Sequence, residues 1–591
     1  MDKLIKEHLS MALEDLFSYK LSAEDVSLQP TRKEFEGTHT FVTFPFLKIS
    51  RRSPEQTGQA LGEYLQERFD IYKSFNIVKG FLNLEVRDLI WVQTLDHIVA
   101  SEGFGRGTTK KRKVMVEFSS PNTNKPLHLG HLRNNFLGDS VARILRHAGY
   151  DVKKTNLVND RGIHICKSML AYQRFGEGET PEDADLKGDH LVGKYYVIFD
   201  KAYKAEIQQL ISSGASEEVA KKTAPILLEA QSMLKRWEDK DPDVVALWEK
   251  MNGWVYEGFA TTYATMGIAF DAIYKESDTY LLGKDIIEEG LEKGVFYKKD
   301  NGSVWIDLTD EGMDEKLVLR ADGTSVYMTQ DIGTCDYKYD DFPMDDSVYV
   351  VGNEQDYHFK VLFSIMKRLG RSYSEGLHHL SYGMVDLPGG KMKSREGTVV
   401  DADDLMQEMF DTAAQHTREL GKIDTLSQEE ALVLYKTIGL GALKYFLLKV
   451  DPKKRMLFDP KESIEFQGHT GPFVQYTHAR IAAIKRRAEQ YDLGGDFRAV
   501  TELHKKELGL IQNISKYPEV VEFAAKEYSP SIVAQYVYDL AKEYNGFYQE
   551  VPILNEKDKD LVNLRVNLSS VTAEVIKSAM DLLGIDVPER M

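Results

Sequence analysis

The pattern of hydrophobic and polar positions divides the chain into three regions. Over residues 1–107, amphipathic helical stretches alternate with short strand-like runs such as 83–86, and the region ends in a linker rich in Gly and Lys, SEGFGRGTTKKRK. From about residue 403 onward, apolar residues recur almost everywhere at helical spacing. Between these two regions the pattern alternates strands with helices.

The middle region opens with a strand, a polar turn and a helix. Residues 114–118 form an apolar strand candidate, SSPNTNKP follows as a turn, and a helix is predicted to begin near His128 and to end in a cap at Gly149. A second strand is predicted over 152–158. This strand–helix–strand order is typical of the opening of a parallel βαβ sheet.

A mostly helical insertion, rich in Lys, Glu and Ala, is predicted over about 170–275. Strand patterns return at 347–352 and 379–385 with a helix through Met366 between them, and a glycine-punctuated loop, LPGGKMKSREGT, follows. The pattern therefore predicts a multidomain α/β plus all-α chain. Its predicted parts are a small N-terminal α/β domain (1–107), a Rossmann-type doubly wound parallel-sheet domain with a helical insertion (108–402), a helical connector (403–455) and a C-terminal helical bundle (456–591).

Composition narrows the class of protein. The two cysteines, Cys166 and Cys335, give neither a disulfide framework nor a CxxC metal pair, so we expect a reducing, cytoplasmic location and no protein-bound metal. We find no apolar run near the ~18 residues that a membrane span requires. The net charge of −18 does not exclude a nucleic-acid partner, because binding depends on local basic faces. Basic clusters at 110–113 and 485–487 are such candidates, although each also suits a solvated surface.

The segment 117–131, EFSSPNTNKPLHLGH, carries the strongest chemical signal. A helix that begins just after a buried strand offers free N–H groups and the positive end of its dipole to an anion. His128 and His131 share a face at that helix start and can donate hydrogen bonds to phosphate oxygens, while Gly130 leaves room for a base or ribose. A bare HxxH also suits a metal pair or two surface histidines, but the strand–turn–helix context favours phosphate binding.

A second candidate lies in the glycine-punctuated loop, which contains the run Lys391, Met392, Lys393 and Ser394. A lysine on such a loop can close over a triphosphate and neutralise charge as pyrophosphate leaves. Taken alone, this run also fits an ordinary exposed turn.

These two runs resemble the HIGH element and the KMSKS loop of class I aminoacyl-tRNA synthetases, with Ser394 in place of the second loop lysine. The longer string around HLGH is similar to the arginyl members of that class, which often carry a lysine just before the first histidine, here Lys125. The resemblance implies that Lys125 supplies the missing charge and that Glu117, Ser119 and Asn122 contact arginine. It also implies catalytic or ATP-binding roles for Lys125, His128, Gly130, His131, Lys391, Met392, Lys393 and Ser394.

An arginine side chain needs acceptors around its planar donors and an aromatic surface beside its stem. Tyr327 and Asp331 lie four residues apart in LRADGTSVYMTQD, on one face if this segment is helical, and Gln355 follows a predicted strand. These residues match the DGTxxYxTxD element and the strand-end Gln of the arginyl family. Asp160 matches the family's GDWGxQ element, whose Trp and Gln are replaced here. His164 is then either a functional replacement for that amide or a structural residue.

Two further strings resemble tRNA-binding domains of the same family. EFQGHTGPFVQYTHAR (465–480) and the C-terminal DLLGIDVPERM are similar to its anticodon-binding domain, and aromatic, amide and cationic groups suit stacking with unpaired bases. The run GFLN (80–83) resembles the N-terminal domain that touches the tRNA elbow. The residues expected to contact tRNA are Phe81, Asn83, Gln475, Tyr476, Arg480 and Met591.

The resemblance implies a cytoplasmic, monomeric ligase that activates L-arginine with ATP, supplied as MgATP, and transfers it to tRNA(Arg); activation is expected to need bound tRNA. A glutamyl enzyme would need arginine where this chain has Glu117, Asp331 and Gln355, and a cysteinyl enzyme would need zinc. A catalytically silent tRNA-binding paralogue and an adenylyltransferase of small molecules stay open as alternatives. Charging by the purified protein excludes the first, and dependence on residues 460–591 excludes the second.

Overall fold

The structure is a computed structural model and describes residues 1–32, 34–386, 400–419, 426–490 and 494–591. Its N-terminal part is a four-stranded antiparallel sheet, in the order β1-β2-β4-β3, packed against helices. Helix α3 begins cleanly because Pro54 is its first residue and Ser53 forms a capping box with Gln56. The elements are α1 (Asp2–Phe17), β1 (Leu28–Pro30), β2 (His39–Val42), α2 (Leu47–Ser50), α3 (Pro54–Arg68), β3 (Tyr72–Val78), β4 (Phe81–Val86) and α4 (Asp88–Ala100).

The middle region contains a five-stranded parallel sheet in the order β12-β11-β5-β6-β7. Its first elements are β5 (Lys113–Glu117), α5 (Leu129–His147) and β6 (Asp151–Val158), and its later strands are β7 (Ala272–Lys275), β11 (Asp346–Gly352) and β12 (Leu377–Tyr382). The chain winds outward from β5 through β6 to β7, then returns to β11 and β12 on the other side. This is the doubly wound arrangement that the sequence predicts, and its winding direction reverses between β5 and β11.

The helix after β5 forms as its sequence predicts. His128 is its N-cap, and at its other end Gly149 adopts φ +94°, where its N–H donates to the carbonyl of Arg146. Residues 114–116 of β5 are buried on both faces of the sheet, as expected for a central parallel strand.

The insertion after β6 is helical but ends earlier than expected. Its helices are α6 (Ile163–Phe175), α7 (Pro181–Ala184), α8 (Gly188–Ser212), α9 (Glu217–Thr223), α10 (Pro225–Glu238) and α11 (Pro242–Met266). Residues 272–275, which the sequence analysis included in this insertion, instead form strand β7, because they pair with residues 155–158 of β6.

A second small unit between β7 and β11 was not predicted. It contains the antiparallel sheet β10-β9-β8 and has its own buried cluster, which includes Phe296, Ile306 and Ile332. Its strands are two to four residues long, too short to show a clear alternation in the sequence. Its elements, and those that lead to the end of the sheet, are α12 (Glu276–Thr279), α13 (Lys284–Glu292), β8 (Tyr297–Lys298), β9 (Val304–Ile306), β10 (Lys316–Leu319), α14 (Tyr327–Asp341), α15 (Asp356–Arg368) and β13 (Val385–Asp386).

The C-terminal third is helical, as predicted, and shares a continuous core with the middle and N-terminal regions. In the part of the chain that the structure describes, one helix, α17, has the length and composition to cross a membrane, and 72% of its apolar window is buried inside the fold. The elements are α16 (Ala402–Glu419), α17 (Gln428–Leu448), β14 (Met456–Leu457), α18 (Pro460–Ser463), α19 (Gly471–Ala488), α20 (Lys505–Ser515), α21 (Tyr517–Lys526), α22 (Pro530–Glu550) and α23 (Lys559–Leu582).

Candidate active site

Most of the predicted site residues lie just beyond the carboxyl ends of the parallel strands. Glu117 ends β5 and His128 lies in the turn after it, while Asp160 follows β6 and Gln355 follows β11. Helix α14, which leads back into β11, begins at Tyr327. In doubly wound sheets, ligands bind at this edge, where the winding direction reverses. The structure therefore collects sequence-distant candidates at the expected place.

The backbone fixes the tautomers of the two histidines. Nδ1 of His128 accepts a hydrogen bond from the N–H of Gly130 at 3.1 Å, and Nδ1 of His131 accepts one from the N–H of His128 at 3.2 Å. A nitrogen that accepts an N–H carries no proton, so each neutral ring holds its proton on Nε2. The rings lie 4.0 Å apart between centroids. The pair therefore presents two Nε2–H donors, which is what phosphate oxygens require.

Lys125 supplies the positive charge of this group. Desolvation, together with the charge of Lys125, lowers the pKa of His128 to about 4. Desolvation, reinforced by the charges of His128 and Lys125, holds the pKa of His131 well below its ordinary value. Burial also lowers the pKa of Lys125 itself. At neutral pH the imidazoles are therefore neutral donors, as phosphate binding through Nε2–H requires.

The turn between β5 and α5 has an unusual backbone. Ser119 and Ser120 both have positive φ, 75° and 44°, a conformation that is costly for residues with a Cβ atom. The side-chain oxygens of Asn134 and Asn156 hold it by accepting the N–H groups of Ser119 and Ser120 at 2.5 and 3.1 Å. This strained turn is stabilised by buried amides that the motif itself does not contain.

Two predicted arginine contacts face the protein interior. The Ser119 side chain is buried, and its hydroxyl lies 2.6 Å from the Tyr263 hydroxyl. The Asp160 carboxylate is fully buried and accepts three hydrogen bonds at 2.8 Å, two from Ser277 and one from the Tyr256 hydroxyl. Ser119 thus joins the turn after β5 to helix α11, and Asp160 joins the end of β6 to helices α11 and α12. Both side chains have structural partners here, and their contact with arginine stays a prediction. Asn122, by contrast, is exposed at the site edge.

Glu117 is also buried, but its partner is a cation. Its carboxylate forms an ion pair with the ammonium group of Lys338 in α14. Lys338 was not predicted, because it lies 221 positions after Glu117 in the sequence.

The predicted guanidinium acceptors lie on or near the start of α14. This segment is helical, as expected, so Tyr327 and Asp331 share a face; Tyr327 is 77% exposed and Gln355 is also exposed. Asp331 Oδ2 lies 2.7 Å from His358 Nε2, and this hydrogen bond raises the pKa of His358. The phenol ring is thus open to a ligand, and the Asp331 side chain remains 36% exposed beside His358.

Glu276, which begins α12 directly after β7, was not among the predicted site residues. Burial raises its pKa to about 7, opposed by the charge of Arg161 and reinforced by those of Asp160 and Asp331. A half-buried carboxylate at the edge of this site is a natural partner for a cationic substrate. Its position directly after a parallel strand could have identified it as a site residue. The stretch up to residue 275 was instead predicted to be helical, so this strand end was not predicted.

His164 is exposed, and its Nδ1 lies 3.0 Å from the Tyr196 hydroxyl in the insertion. Both interpretations of His164 therefore stay open. The run Lys391, Met392, Lys393 and Ser394 lies outside the described residues. On its C-terminal side, Val400 and Ala402 form backbone hydrogen bonds with Leu129 and Leu127, beside the HLGH motif.

One group among the described residues has the spacing of a metal site: His190, Asp401 and Asp403. The ammonium group of Lys187 already contacts Asp403, and His190 Nε2 lies 3.4 Å from both carboxylates. Protein cations therefore balance these acids, and the group joins α8 to the start of α16.

Two of the predicted tRNA contacts, Gln475 and Asn83, are buried in the structure. Gln475 is fully buried and its amide donates to the carbonyls of Thr437 and Asp586, so it cannot reach a base in this conformation. Asn83 is buried in the N-terminal sheet, where it accepts from Thr40 at 2.6 Å. Both residues have structural roles here.

Of the remaining residues predicted to contact tRNA, Arg480, Tyr476 and Phe81 lie in clusters of aromatic rings. The Arg480 guanidinium lies 4.9 Å from the ring centre of Tyr476 and 5.0 Å from that of Tyr548, which the sequence analysis missed. Phe81 packs edge-to-face with the exposed ring of Phe44. These two aromatic surfaces suit contacts with unpaired bases. Met591 is half-buried against the core.

A doubly wound sheet with an HLGH helix start at its reversal point, followed by a helical bundle, is the architecture of a class I aminoacyl-tRNA synthetase. Residues 94–459 match the family described as tRNA synthetases class I (R), catalytic domain; residues 474–591 match the DALR anticodon binding domain; and residues 3–86 match the arginyl tRNA synthetase N terminal domain. The chain belongs to the arginyl-tRNA synthetase family.

Its relatives match over their full length. The chain is 57% identical to the arginine–tRNA ligase of Amoebophilus asiaticus, covering 100% of both chains, and 54% identical to that of Bacteroides thetaiotaomicron, covering 100% and 99%. The fold is similar to that of the Thermus thermophilus arginyl-tRNA synthetase, with a TM-score of 0.81, 24% identity and complete coverage of both chains. It is also similar to the Plasmodium falciparum enzyme, with a TM-score of 0.77, 18% identity and coverage of 100% and 99%. The predicted fold class is thereby confirmed.

Proposed function

We propose that this chain is an arginine–tRNA ligase that acts in the cytoplasm as a monomer. Its substrates are L-arginine, tRNA(Arg) and ATP, and ATP enters as its magnesium complex. The observation that carries this proposal is the pairing, at one edge of the sheet, of neutral Nε2–H donors beside Lys125 with acidic groups near Tyr327. The first set suits a triphosphate, and the second suits a guanidinium. We retain the domain boundaries 1–107, 108–402, 403–455 and 456–591 as part of the proposal.

In the first step, a carboxylate oxygen of arginine attacks the α-phosphorus of ATP. A new oxygen–phosphorus bond forms, the bond to the β-phosphate oxygen breaks, and pyrophosphate leaves. His128 and His131 donate Nε2–H hydrogen bonds to phosphate oxygens, and Lys125 neutralises charge that builds up as the bond breaks. Lys391, in the run 391–394, is assigned to the departing pyrophosphate by its motif.

The amino acid is held at both ends. Asp331 and Glu276 accept hydrogen bonds from the guanidinium, with the exposed ring of Tyr327 and the amide of Gln355 completing that end. Glu117 and Asn122 are assigned to the α-amino end, nearer the ATP site. A bound guanidinium favours the ionised form of Glu276, so binding is coupled to loss of a proton from this carboxyl group.

In the second step, the 2′-hydroxyl of the terminal tRNA ribose attacks the carbonyl carbon of the adenylate, and AMP leaves. Positioning is the main task of the protein here. The Tyr476–Arg480–Tyr548 stack and the Phe44–Phe81 pair are the surfaces that we assign to tRNA, because stacked rings bind unpaired bases.

A charging assay with each of the twenty amino acids and total tRNA tests the proposal. Only arginine should become attached, and pyrophosphate exchange should need tRNA. Charging of glutamate or cysteine would identify another class I enzyme. Exchange without any charging would favour an adenylyltransferase, and the absence of both would favour a silent tRNA-binding paralogue.

A further inference from the structure

Lys338 is one of the largest fully buried side chains in the described structure. It lies in the second half of α14, its side chain is 2% exposed, and its ammonium group forms an ion pair with Glu117 at the end of β5. The same nitrogen lies 5.1 Å from the ring centre of Tyr349 in the neighbouring strand β11. A lysine side chain is rarely buried so completely. Removing its charge from water costs free energy unless a partner of opposite charge compensates.

The helix that carries Lys338 also carries the guanidinium candidates. Tyr327, Asp331 and Lys338 are separated by four and seven residues, which places them along one stripe of α14. The exposed start of this stripe faces the ligand edge, and its buried end reaches β5. One rigid helix therefore links the predicted arginine pocket to the pairing of Glu117.

Few other groups in the described part of the chain can control the charge of Glu117. Among these residues, the titratable groups that interact with it are Lys338, Cys335, Tyr349 and Tyr274, contributed by α14, β11 and β7. Desolvation raises the pKa of Cys335 to about 12 and raises the pKa values of both tyrosines, so these three groups are neutral at pH 7. Of these four groups, only Lys338 can then supply a positive charge.

We propose that Lys338 is a positioning residue for arginine activation. It keeps the buried carboxylate of Glu117 ionised and oriented at the end of β5, ready to receive the α-ammonium group of L-arginine. This inference rests on the proposed function, and specifically on the assignment of Glu117 to the amino acid. Lys338 itself contacts neither arginine nor ATP in this scheme.

Removal of the Lys338 charge should make arginine binding depend on pH, an effect that a loss of packing alone would not produce. In Lys338→Met, Glu117 becomes a buried carboxylate with no cation beside it, and burial without a compensating charge favours the neutral carboxyl group. A neutral carboxyl group cannot pair with an ammonium group. Arginine binding by this variant should therefore weaken as pH falls, by about tenfold per pH unit where the neutral carboxyl group predominates.

The experiment measures kcat and KM for arginine by tRNA charging between about pH 6 and pH 9. Glu276 gives the wild type its own pH dependence, so the informative quantity is the KM of each variant divided by the wild-type KM at the same pH. For Lys338→Met this ratio should rise steeply as pH falls, while KM for ATP stays within about threefold. Lys338→Arg keeps the charge, so its ratio should stay flat.

Two further variants connect the effect to Glu117. Glu117→Gln should raise KM for arginine with a pH-independent ratio, and Lys338→Met combined with Glu117→Gln should be no worse than Glu117→Gln alone. A pH-independent ratio in Lys338→Met, or additive effects in the double variant, would overturn the role of Lys338. If Lys338→Met does not fold, Lys338→Arg still tests the proposal. A variant-to-wild-type ratio of KM for arginine that changes with pH in Lys338→Arg would contradict it.

The outcomes also separate this inference from the proposed function. A wild-type enzyme that does not charge arginine would refute the function itself. An unchanged KM for arginine in Glu117→Gln would remove Glu117 from the arginine site and overturn the Lys338 inference, while arginine charging by the wild type would leave the ligase function intact.

Discussion

The replacement of His128 by asparagine separates two roles that one imidazole performs. Nδ1 of His128 caps helix α5 by accepting the N–H of Gly130, whereas Nε2–H is the donor that we assign to ATP. The side-chain oxygen of asparagine can occupy nearly the position of Nδ1, and asparagine is among the best N-cap residues. Nothing in asparagine reaches the position of Nε2. The variant should therefore keep the cap and lose the donor.

The expected magnitudes differ strongly between the two roles. Loss of a donor that acts on developing charge costs about 2.7–4 kcal/mol of transition-state stabilisation, or roughly 10²–10³ in kcat. The free energy of unfolding should change by less than about 0.5 kcal/mol, since one good cap replaces another. In the matched variant His128→Ala the cap is lost as well, so about 1 kcal/mol of stability should disappear with a similar loss of rate.

The assay is pyrophosphate exchange with saturating ATP, arginine and tRNA, combined with urea unfolding of the wild type, His128→Asn and His128→Ala. Because the pKa of His128 is about 4, the wild-type rate should show no titration of this group above about pH 6. His128→Asn that exchanges pyrophosphate at nearly the wild-type rate would refute the donor role. Equal stability of the asparagine and alanine variants would refute the cap.

Three other predictions follow from particular contacts. Arg133 is fully buried and donates to the backbone carbonyls of Gly383, Pro452 and Lys454 at 2.8–3.1 Å. Arg133→Met leaves these carbonyls without their donor, at about 1–3 kcal/mol for each buried group, so the free energy of unfolding in urea should fall by about 3–5 kcal/mol; a loss below about 1 kcal/mol would contradict this. In the wild type, KM for arginine should rise as pH falls through about 7, because protonated Glu276 cannot pair with a cation. Glu276→Gln should remove this pH-dependent rise in KM, and a rise that persists in the variant would exclude Glu276 as its source. Tyr548→Ala should raise KM for tRNA about tenfold while KM for ATP stays constant, since one stacked base contributes ~1–3 kcal/mol; equal changes in both would point to a folding defect.

Much of the fold could be predicted because its signals are local. The buried strand β5, the His128 cap and the Gly149 terminus lie within one contiguous stretch, and each has a direct physical meaning in sequence. Strand β7 and the small sheet β8–β10 could not be predicted in the same way. Their strands are only two to four residues long, and pairing with distant partners determines them more than periodicity does.

The site residues also differ in whether a local motif or tertiary packing determines their role. The HLGH string identifies which residues meet the nucleotide, because a helix start has a fixed chemistry wherever it lies. A motif match does not say which way a side chain points, so Asp160, Ser119, Asn83 and Gln475 matched the family and yet are buried in hydrogen-bond networks. Lys338 belongs to no motif, so it could not be predicted. Its ion pair with Glu117 arises only when α14 packs against β5.

Helix α5 shows why the site and the bundle depend on each other. Its first turn presents the imidazoles, and further along Ser140 donates to the carbonyl of Leu582 at 2.7 Å while Arg143 pairs with Asp581 at 2.9 Å, both at the end of α23. The next residues of the chain are held by Lys444 of α17, which donates to the carbonyl of Gly584. A helix of 19 residues is about 28 Å long and moves as a unit. A shift of the C-terminal bundle must therefore either break these bonds, of which the Ser140–Leu582 bond is buried, or move His128. The geometry of the ATP site is thus coupled to the domain that we assign to the anticodon.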